Sequence, residues 1–534
     1  MGFCMHTLFN LTYLLHNVLI MEELKIKPRE YQQKIFETCK ENNCLVVLPT
    51  GTGKTLIAIM LAVEIFKKHP QEKVLFLAPT RPLIEQHLNS FKKALPENFA
   101  DMQLFTGKTP AEKRKEIWQT AEFIFSTPQC IANDIKNNLY DLSDVCLLIE
   151  DECHRCLKNY SYTFIAKHYR EKAKNQRILG LTASPGSDLE KIKEICENLG
   201  ITSLEIRTRE SEDVKPYLQE LTFEKINVDF PPEFEEIRQM LKEIFNERIE
   251  ELRNRKVFHS IPTKIELIKG QRKLFELINR GEKNGNYLMG LAAYSIAIKI
   301  QHALELLETQ TFSAFLRYLE DIKKQAEEKK SRSVQQLAKD KRFLEVYTLA
   351  NTIDFEHPKL EKLKQIIKET LNKNSNSKII VFAQFRDSVK KICDELNKIE
   401  GVKAKIFVGQ AKKGEGKNLT GLNQKEQKKI IEEFSRGEIN CLVATSIAEE
   451  GLDIPEVNEV IFYEPVPSAI RKIQRAGRTA RLMKGSLKIL ITKNTRDQTF
   501  HYVSQARERK MHKLIEKIKE KLPKKEEEQK KLFE

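Results

Sequence analysis

Residues 45–55 read Leu45-Val46-Val47-Leu48-Pro49-Thr50-Gly51-Thr52-Gly53-Lys54-Thr55, an apolar run that breaks into a glycine-rich loop ending in Gly-Lys-Thr. An amphipathic stretch follows from Leu56. The order is therefore strand, loop, helix. Gly51 and Gly53 let backbone N–H groups close around phosphate oxygens. The following helix offers its positive N-terminus to the anion. Thr50, Gly51, Thr52 and Gly53 form the cradle, Lys54 brings charge to the β/γ-phosphates, and the Thr55 hydroxyl reaches Mg²⁺. The first glycine of the strict phosphate-loop pattern is missing. An incidental glycine-rich turn is the competing reading, and the strand and helix on either side count against it.

Working outward, short apolar runs alternate with amphipathic stretches from about residue 28 to 200. Cys44–Leu48, Val74–Ala78, Phe123–Ser126, Val145–Ile149 and Ile178–Leu181 read as buried parallel strands with crossover helices between them. This predicts an α/β doubly wound domain. Ile226, Val228 and Phe230 form a short strand before Pro231-Pro232. Helical spacing then takes over, as in Ile237, Met240, Leu241, Ile244 and Phe245, and Leu291 to Leu307 reads as a buried helix. The charged stretch Lys323 to Arg342 reads as exposed. Strands resume with Ile379–Ala383, Ala404–Val408, Cys441–Ala444, Val460–Tyr463 and Leu487–Ile491. The expected organisation is an N-terminal arm over 1–24, a first α/β doubly wound domain over 25–205 and a linker with the first strand of the second domain over 206–232. A helical insert follows over 233–352, a second α/β doubly wound domain over 353–497 and a charged C-terminal helix and tail over 498–534.

Of 534 residues, 40% are hydrophobic and 31% charged, enough apolar material for several cores. The formal net charge of +15 favours a polyanionic partner over simple solubility. Ten cysteines without regular spacing suit a reducing compartment. Cys153 and Cys156 lack a second pair at zinc spacing, so no metal cluster is expected. Leu8 to Ile20 is too short and polar for a membrane span and lacks signal-peptide features. Cytoplasmic placement is expected, nucleoid-associated in a prokaryote, without membrane association.

The strand Val145–Ile149 delivers Glu150-Asp151-Glu152-Cys153-His154 at its C-terminal end, where parallel sheets place ligand sites. Mg²⁺ takes one or two carboxylates plus phosphate oxygens and water, which suits Asp151. Glu152 can orient or deprotonate an attacking water. His154 is expected to couple this site to the other lobe. An acidic cluster after a strand is often only a helix cap. Downstream of a phosphate loop, the metal-and-water reading prevails.

These segments resemble motifs I and II of superfamily-2 helicases, and Leu181-Thr182-Ala183-Ser184-Pro185 resembles motif III, which implies that the two doubly wound parallel-sheet domains are RecA-like. Arg29-Glu30-Tyr31-Gln32 is similar to the segment that reads adenine, which implies roles for Arg29 and Gln32. Ala78-Pro79-Thr80-Arg81 resembles motif Ia. Phe105-Thr106-Gly107 and Ser126-Thr127-Pro128-Gln129 resemble motifs Ib and Ic. Val381-Phe382-Ala383-Gln384-Phe385-Arg386 resembles motif IV, and Val443-Ala444-Thr445 through Gly451-Leu452-Asp453 resembles motif V. Gln474-Arg475-Ala476-Gly477-Arg478-Thr479-Ala480-Arg481 resembles motif VI, with Ala480 where glycine is usual. The resemblance implies that Pro79, Thr80, Arg81, Thr106, Gly107, Thr127, Pro128, Gln384, Phe385, Arg386 and Thr445 contact nucleic acid. It also implies that Gly451 and Asp453 help hold ATP, that Gln474 senses the γ-phosphate, and that Arg478 and Arg481 are arginine fingers. A guanidinium in that role is worth about 10³–10⁵ in rate.

Gln301-His302-Ala303-Leu304-Glu305-Leu306-Leu307-Glu308-Thr309-Gln310 resembles the helical insert of the archaeal Hef and eukaryotic FANCM family, as do His357-Pro358-Lys359-Leu360 and Asn423-Gln424-Lys425-Glu426-Gln427. That implies an ATP-dependent DNA helicase or translocase remodelling forks and Holliday junctions, with ATP and Mg²⁺. Lys264, Lys269, Arg272, Lys273 and Arg317 are candidates for gripping a duplex. Cys153 in the Asp-Glu-Cys-His tetrad resembles the RIG-I-like and Dicer helicases, so a duplex-RNA motor stays open, as does a non-hydrolysing scaffold. Glu508-Arg509-Lys510 superficially matches the nuclease of Hef-like proteins. Leu514 replaces the aspartate expected next, so no nuclease is expected here, and a separate nuclease or a sliding clamp is the expected partner. The sequence leaves the oligomeric state open.

Overall fold

The computed structural model describes residues 26–186, 188–218, 221–282, 284–409, 421–448, 454–468, 485–511 and 513. Seven parallel strands build the first sheet: β1 (Cys44–Val47), β2 (Lys73–Leu77), β3 (Met102–Phe105), β4 (Phe123–Ser126), β5 (Val145–Asp151), β6 (Ile178–Thr182) and β7 (Ser203–Ile206). Their spatial order is β3-β4-β2-β5-β6-β1-β7. The chain turns back on both sides of β1, so the strand ends there open a crevice for ligand. Helices α1 (Glu30–Glu41), α2 (Lys54–Lys68), α3 (Arg81–Ala94), α4 (Ala111–Thr120), α5 (Pro128–Lys136), α6 (Ser161–Lys172) and α7 (Leu189–Leu199) precede β1 or fill the crossovers. One apolar core lies on each face of the sheet. That double burial is why β1, β2, β4, β5 and β6 are near-continuous apolar runs.

The second sheet has the order β10-β11-β9-β12-β13-β8, again all parallel. It comprises β8 (Leu221–Val228), β9 (Ile379–Phe382), β10 (Ala404–Phe407), β11 (Cys441–Ala444), β12 (Glu459–Phe462) and β13 (Gly485–Thr492). Between β8 and β9 the chain forms α8 (Pro232–Asn254), α9 (Lys264–Asn279), α10 (Gly285–Thr309), α11 (Phe312–Glu327), α12 (Arg332–Ala338), α13 (Lys341–Thr352) and α14 (Pro358–Lys373). Helices α15 (Arg386–Leu396) and α16 (Gln424–Arg436) follow, and residues 496–511 are helical. The architecture is two doubly wound parallel-sheet domains with an all-α bundle between them.

Three features differ from the sequence reading. β3 and β7 were not anticipated, because each is a four-residue edge strand interrupted by polar Gln103 or Glu205. The stretch 323–342 is not simply exposed: Val334 and Leu337 on α12 are buried in the bundle core. They lie three residues apart on one helical face, which the surrounding charges obscure.

The bundle is fastened to the second lobe by a buried polar joint. Lys359 Nζ donates to Thr309 O at 2.6 Å and pairs with Asp497 at 2.7 Å, with both side chains fully buried. Gln310 Nε2 donates to Glu464 at 3.3 Å, and Arg496 N donates to Glu308 at 3.0 Å. The helix over 496–511 reaches back to the first lobe, where Met511 joins the core and Ser184 Oγ lies 2.9 Å from its sulfur. Among the described residues no helix is long and apolar enough to cross a membrane.

Candidate nucleotide and nucleic-acid site

The phosphate loop leaves β1 and turns directly into α2. Gly51 and Gly53 have φ of +80° and +79°, conformations that favour glycine. Thr52 is fully buried, and its hydroxyl donates to Pro49 O at 2.6 Å. Tyr31 OH and Gln32 Nε2 donate to Thr52 O at 2.5 and 3.0 Å. Arg29 N donates to Gln32 Oε1 at 2.8 Å, and the Arg29 guanidinium lies over the Tyr217 ring. Gln32, expected as an adenine reader, therefore braces the loop with its amide nitrogen and caps the start of α1 with its amide oxygen. Lys54 Nζ donates to Leu48 O at 3.0 Å, which holds the ammonium at the floor of the loop.

A Cβ on Gly53 would collide with the Gln32 amide. Left-handed backbone costs an L-residue about 1–2 kcal/mol by itself. Gly53→Ala is therefore expected to weaken ATP-analogue binding roughly tenfold. Fluorescence titration checks this, and an affinity within twofold of the parent would show that the loop tolerates the methyl group.

Asp151 is the last residue of β5. Tyr162 OH donates to its carbonyl at 2.6 Å, and His87 Nε2 lies 2.7 Å from Oδ2. Burial opposes ionisation of Asp151, but His87 and Lys54 outweigh it and hold the carboxyl below its usual range. Thr55 Oγ1 lies 3.5 Å from the other imidazole nitrogen of His87. Glu152 follows in a left-handed conformation, φ 52° and ψ 42°, uncommon outside glycine. Its Oε2 lies 3.2 Å from His154 Nδ1, and that nitrogen lies 3.1 Å from Thr182 Oγ1. Thr182 O in turn accepts from Leu48 N at 3.1 Å. These two contacts of His154 are made with first-lobe residues. Gly451, Asp453, Gln474, Arg478, Ala480 and Arg481 lie outside the described residues.

Glu150 points the other way along β5, into the protein. Burial pushes its carboxyl up to about 8, and the Cys156 thiol offsets little of that. The folded state thus holds a proton that the unfolded chain releases near pH 4.5. Stability is fullest below that value and falls as pH rises toward 8, by roughly 3–5 kcal/mol in all. Urea melts of Glu150→Gln should lack this component. A parallel pH profile for parent and variant would show that Glu150 is not strained by its surroundings.

The residues expected to contact nucleic acid sit at the C-terminal ends of parallel strands. Pro79, Thr80 and Arg81 follow β2 and open α3. Thr106 and Gly107 follow β3, and Thr127 and Pro128 open α5 after β4. Thr80 and Thr127 are N-caps without a side-chain capping bond. Thr80 Oγ1 and Arg81 Nη1 are buried without a partner among the described residues. Such groups suit a phosphate at a helix N-terminus. In the second lobe, Gln384, Phe385, Arg386 and Thr445 share a cavity of about 430 Å³ with Gly409. Arg386 Nη2 donates to Gly409 O at 3.1 Å, and the Phe385 ring lies 5.3 Å from that of His302 on α10. The insert therefore packs against one of the residues that line this cavity. Of the five basic candidates on the insert, Lys264, Lys269 and Arg317 are in ion pairs with Glu305, Glu266 and Asp387, while Arg272 and Lys273 are exposed.

Three family models match successive parts of the chain. "Type III restriction enzyme, res subunit" covers residues 25–187, "Putative ATP-dependent RNA helicase, helical bundle" covers 233–357, and "Helicase conserved C-terminal domain" covers 358–483. The crystal structure of the Pyrococcus furiosus Hef helicase domain is 44% identical, with a TM-score of 0.68, and the match covers 90% of this chain and 100% of that one. This chain belongs to the Hef-type helicase family. A Methanocaldococcus jannaschii protein named "Putative ATP-dependent RNA helicase" is 41% identical over 94% of this chain and 63% of its own length. The mouse Fanconi anemia group M protein homolog is 31% identical over 91% of this chain and 26% of its own length. The chain thus spans between about a quarter and two thirds of these Hef-type relatives. The sequence reading missed His87 and Tyr162 and gave Glu150 no role of its own, because none belongs to a helicase motif. A histidine on the apolar face of the helix after motif Ia was the one available signal.

Proposed function

We propose that this chain is an ATP-driven DNA motor that remodels branched DNA such as forks and Holliday junctions. The observation that carries the reading is that these groups share the C-terminal end of one parallel sheet. The phosphate loop, Asp151 and Glu152 stand at the same ends of the first-lobe strands as Thr80, Arg81 and Thr127. Phosphate-binding groups of two kinds, one for nucleotide and one for a nucleic-acid backbone, thereby lie on a common rigid support.

Thr55 and Asp151 offer the hydroxyl and carboxylate donor set that Mg²⁺ accepts, and Asp151 is held anionic. A bound Mg²⁺ would neutralise charge on the β- and γ-phosphates. Lys54 and the Gly51–Gly53 amides hold the triphosphate, with Arg29 and Gln32 flanking the loop. Glu152 takes the proton of the attacking water. Gly451 and Asp453 complete the nucleotide site, Gln474 senses the γ-phosphate, and Arg478 and Arg481 stabilise the transition state from the second lobe. Turnover then requires closure of the lobes. Because the insert is locked to the second lobe and meets Phe385, closure carries both against the nucleic acid. A separate nuclease or sliding clamp is the proposed protein partner.

A duplex-RNA motor is the second reading, favoured by the Asp151-Glu152-Cys153-His154 tetrad. ATP turnover measured with forked DNA, linear duplex DNA and duplex RNA separates the two. Forked DNA should stimulate most, and Lys54→Ala should abolish stimulation by all three. Strongest stimulation by duplex RNA would overturn the DNA reading. Normal turnover by Lys54→Ala would overturn the nucleotide site.

A further inference from the structure

His87 lies on α3 and belongs to none of the segments assigned a role above. It is buried, and its ring lies 4.5 Å from that of Phe76 on β2. Its two nitrogens each face a side-chain oxygen. Nε2 lies 2.7 Å from Asp151 Oδ2, and Nδ1 lies 3.5 Å from Thr55 Oγ1. These are the carboxylate and hydroxyl that the proposed function gives to Mg²⁺. The backbone carbonyl of Asp151 is fixed separately by Tyr162 OH at 2.6 Å. The rotation of the carboxylate is thus set by His87, while Tyr162 sets the main chain.

The same helix has a second end. Its first turn presents Thr80 Oγ1 and Arg81 Nη1, both buried without a partner among the described residues. Arg81 Nε is occupied, donating to Glu85 at 2.6 Å one turn along. Arg81 and His87 are separated by six positions, about 9 Å along a helix axis. Both residues stand on this one helix, so the end that meets phosphate and the imidazole belong to a single element.

We propose that His87 is a positioning residue that ties the metal-binding carboxylate to the nucleic-acid-binding end of α3. The proposal rests on the reading of Thr55 and Asp151 as Mg²⁺ donors and of Thr80 and Arg81 as phosphate contacts. In it, His87 touches neither nucleotide nor nucleic acid. It fixes Asp151, and it carries the state of the α3 N-terminus to the metal. Groups that orient metal ligands from behind typically change metal affinity by about 10–100-fold when removed.

The test uses Mn²⁺ as the probe ion, counted by electron paramagnetic resonance on the full chain with a non-hydrolysable ATP analogue. Titrations are run with and without a forked DNA oligonucleotide. DNA should tighten Mn²⁺ binding by the parent chain. His87→Phe keeps a ring against Phe76 and removes both nitrogens. It should bind Mn²⁺ at least fivefold more weakly and lose the DNA effect, while its affinity for the analogue in EDTA stays within twofold. Should His87→Phe misfold on thermal melting, the smaller His87→Ala carries the same measurement. Mn²⁺ affinity within fivefold of the parent, or an intact DNA effect, overturns the proposal. So does an equal loss of analogue affinity in EDTA, which marks a packing role. A parent chain that binds neither analogue nor Mn²⁺ would instead bring down the nucleotide reading itself.

Discussion

Glu152→Gln is expected to lower ATP turnover by about 10²–10⁴-fold, the range for losing a general base, while nucleotide affinity stays unchanged. The expectation rests on local geometry. β5 ends at Asp151, and the left-handed conformation at Glu152 turns the chain out of the strand direction. Asp151 and Glu152 therefore serve different places although they are adjacent in sequence. Asp151 is linked to Thr55 through His87, and Glu152 stands beside His154, which in turn meets Thr182. Glutamine keeps the size and the acceptor oxygen of Glu152 but is a far poorer proton acceptor. Steady-state turnover with saturating forked DNA, together with an ATP-analogue titration, checks both halves. Turnover within tenfold of the parent would place the base elsewhere.

Lys359→Met is expected to destabilise the second lobe by about 3–5 kcal/mol, because it leaves the Asp497 carboxylate buried without its counter-ion. Burial already raises the Asp497 carboxyl, and Lys359 opposes that rise. The ammonium also lies over the Tyr463 ring, 5.0 Å from its centroid, and caps Thr309 O at the end of α10. Its loss thus frees the end of the bundle as well. Adding Asp497→Leu should recover much of the stability, since an apolar pair can replace a buried ion pair at little cost. Urea melts read the stability, and hydrogen exchange at the C-terminal end of α10 reads the attachment. A single variant that melts within about 1 kcal/mol of the parent would mean that the joint bears little of the fold's stability.

Much of this was legible in the sequence, for identifiable reasons. Leu45 to Leu48 is continuous apolar sequence because β1 is covered on both faces, and that signal survives without any context. The glycines of the phosphate loop announced their positive φ because few other residues adopt it readily. Edge strands such as β3 carry no such signal, since one side of each meets only a neighbour or solvent. Gln32 could be assigned to the nucleotide site by resemblance, but its bracing of Thr52 and Gly53 depends on a fold that brings α1 beneath the loop. His87 and Asp151 are likewise joined only by the packing of α3 against the sheet. The Lys359–Asp497 joint could not be read in advance, because charged residues so far apart give no periodic sign of being neighbours.

The edge strand β8 sets a timetable for synthesis. Leu221 pairs with Gly485 across 264 positions, and Val228 with Thr492. A ribosome adding about 5–20 residues per second needs roughly 13–50 s to connect the two. Throughout that interval β8 has left the tunnel with no strand beside it, and the helices that follow it can condense first. Nascent chains halted before residue 485 should therefore hold a finished nucleotide-loop domain and bundle beside an unzipped sheet margin, the form in which this protein is most exposed to aggregation and to chaperones.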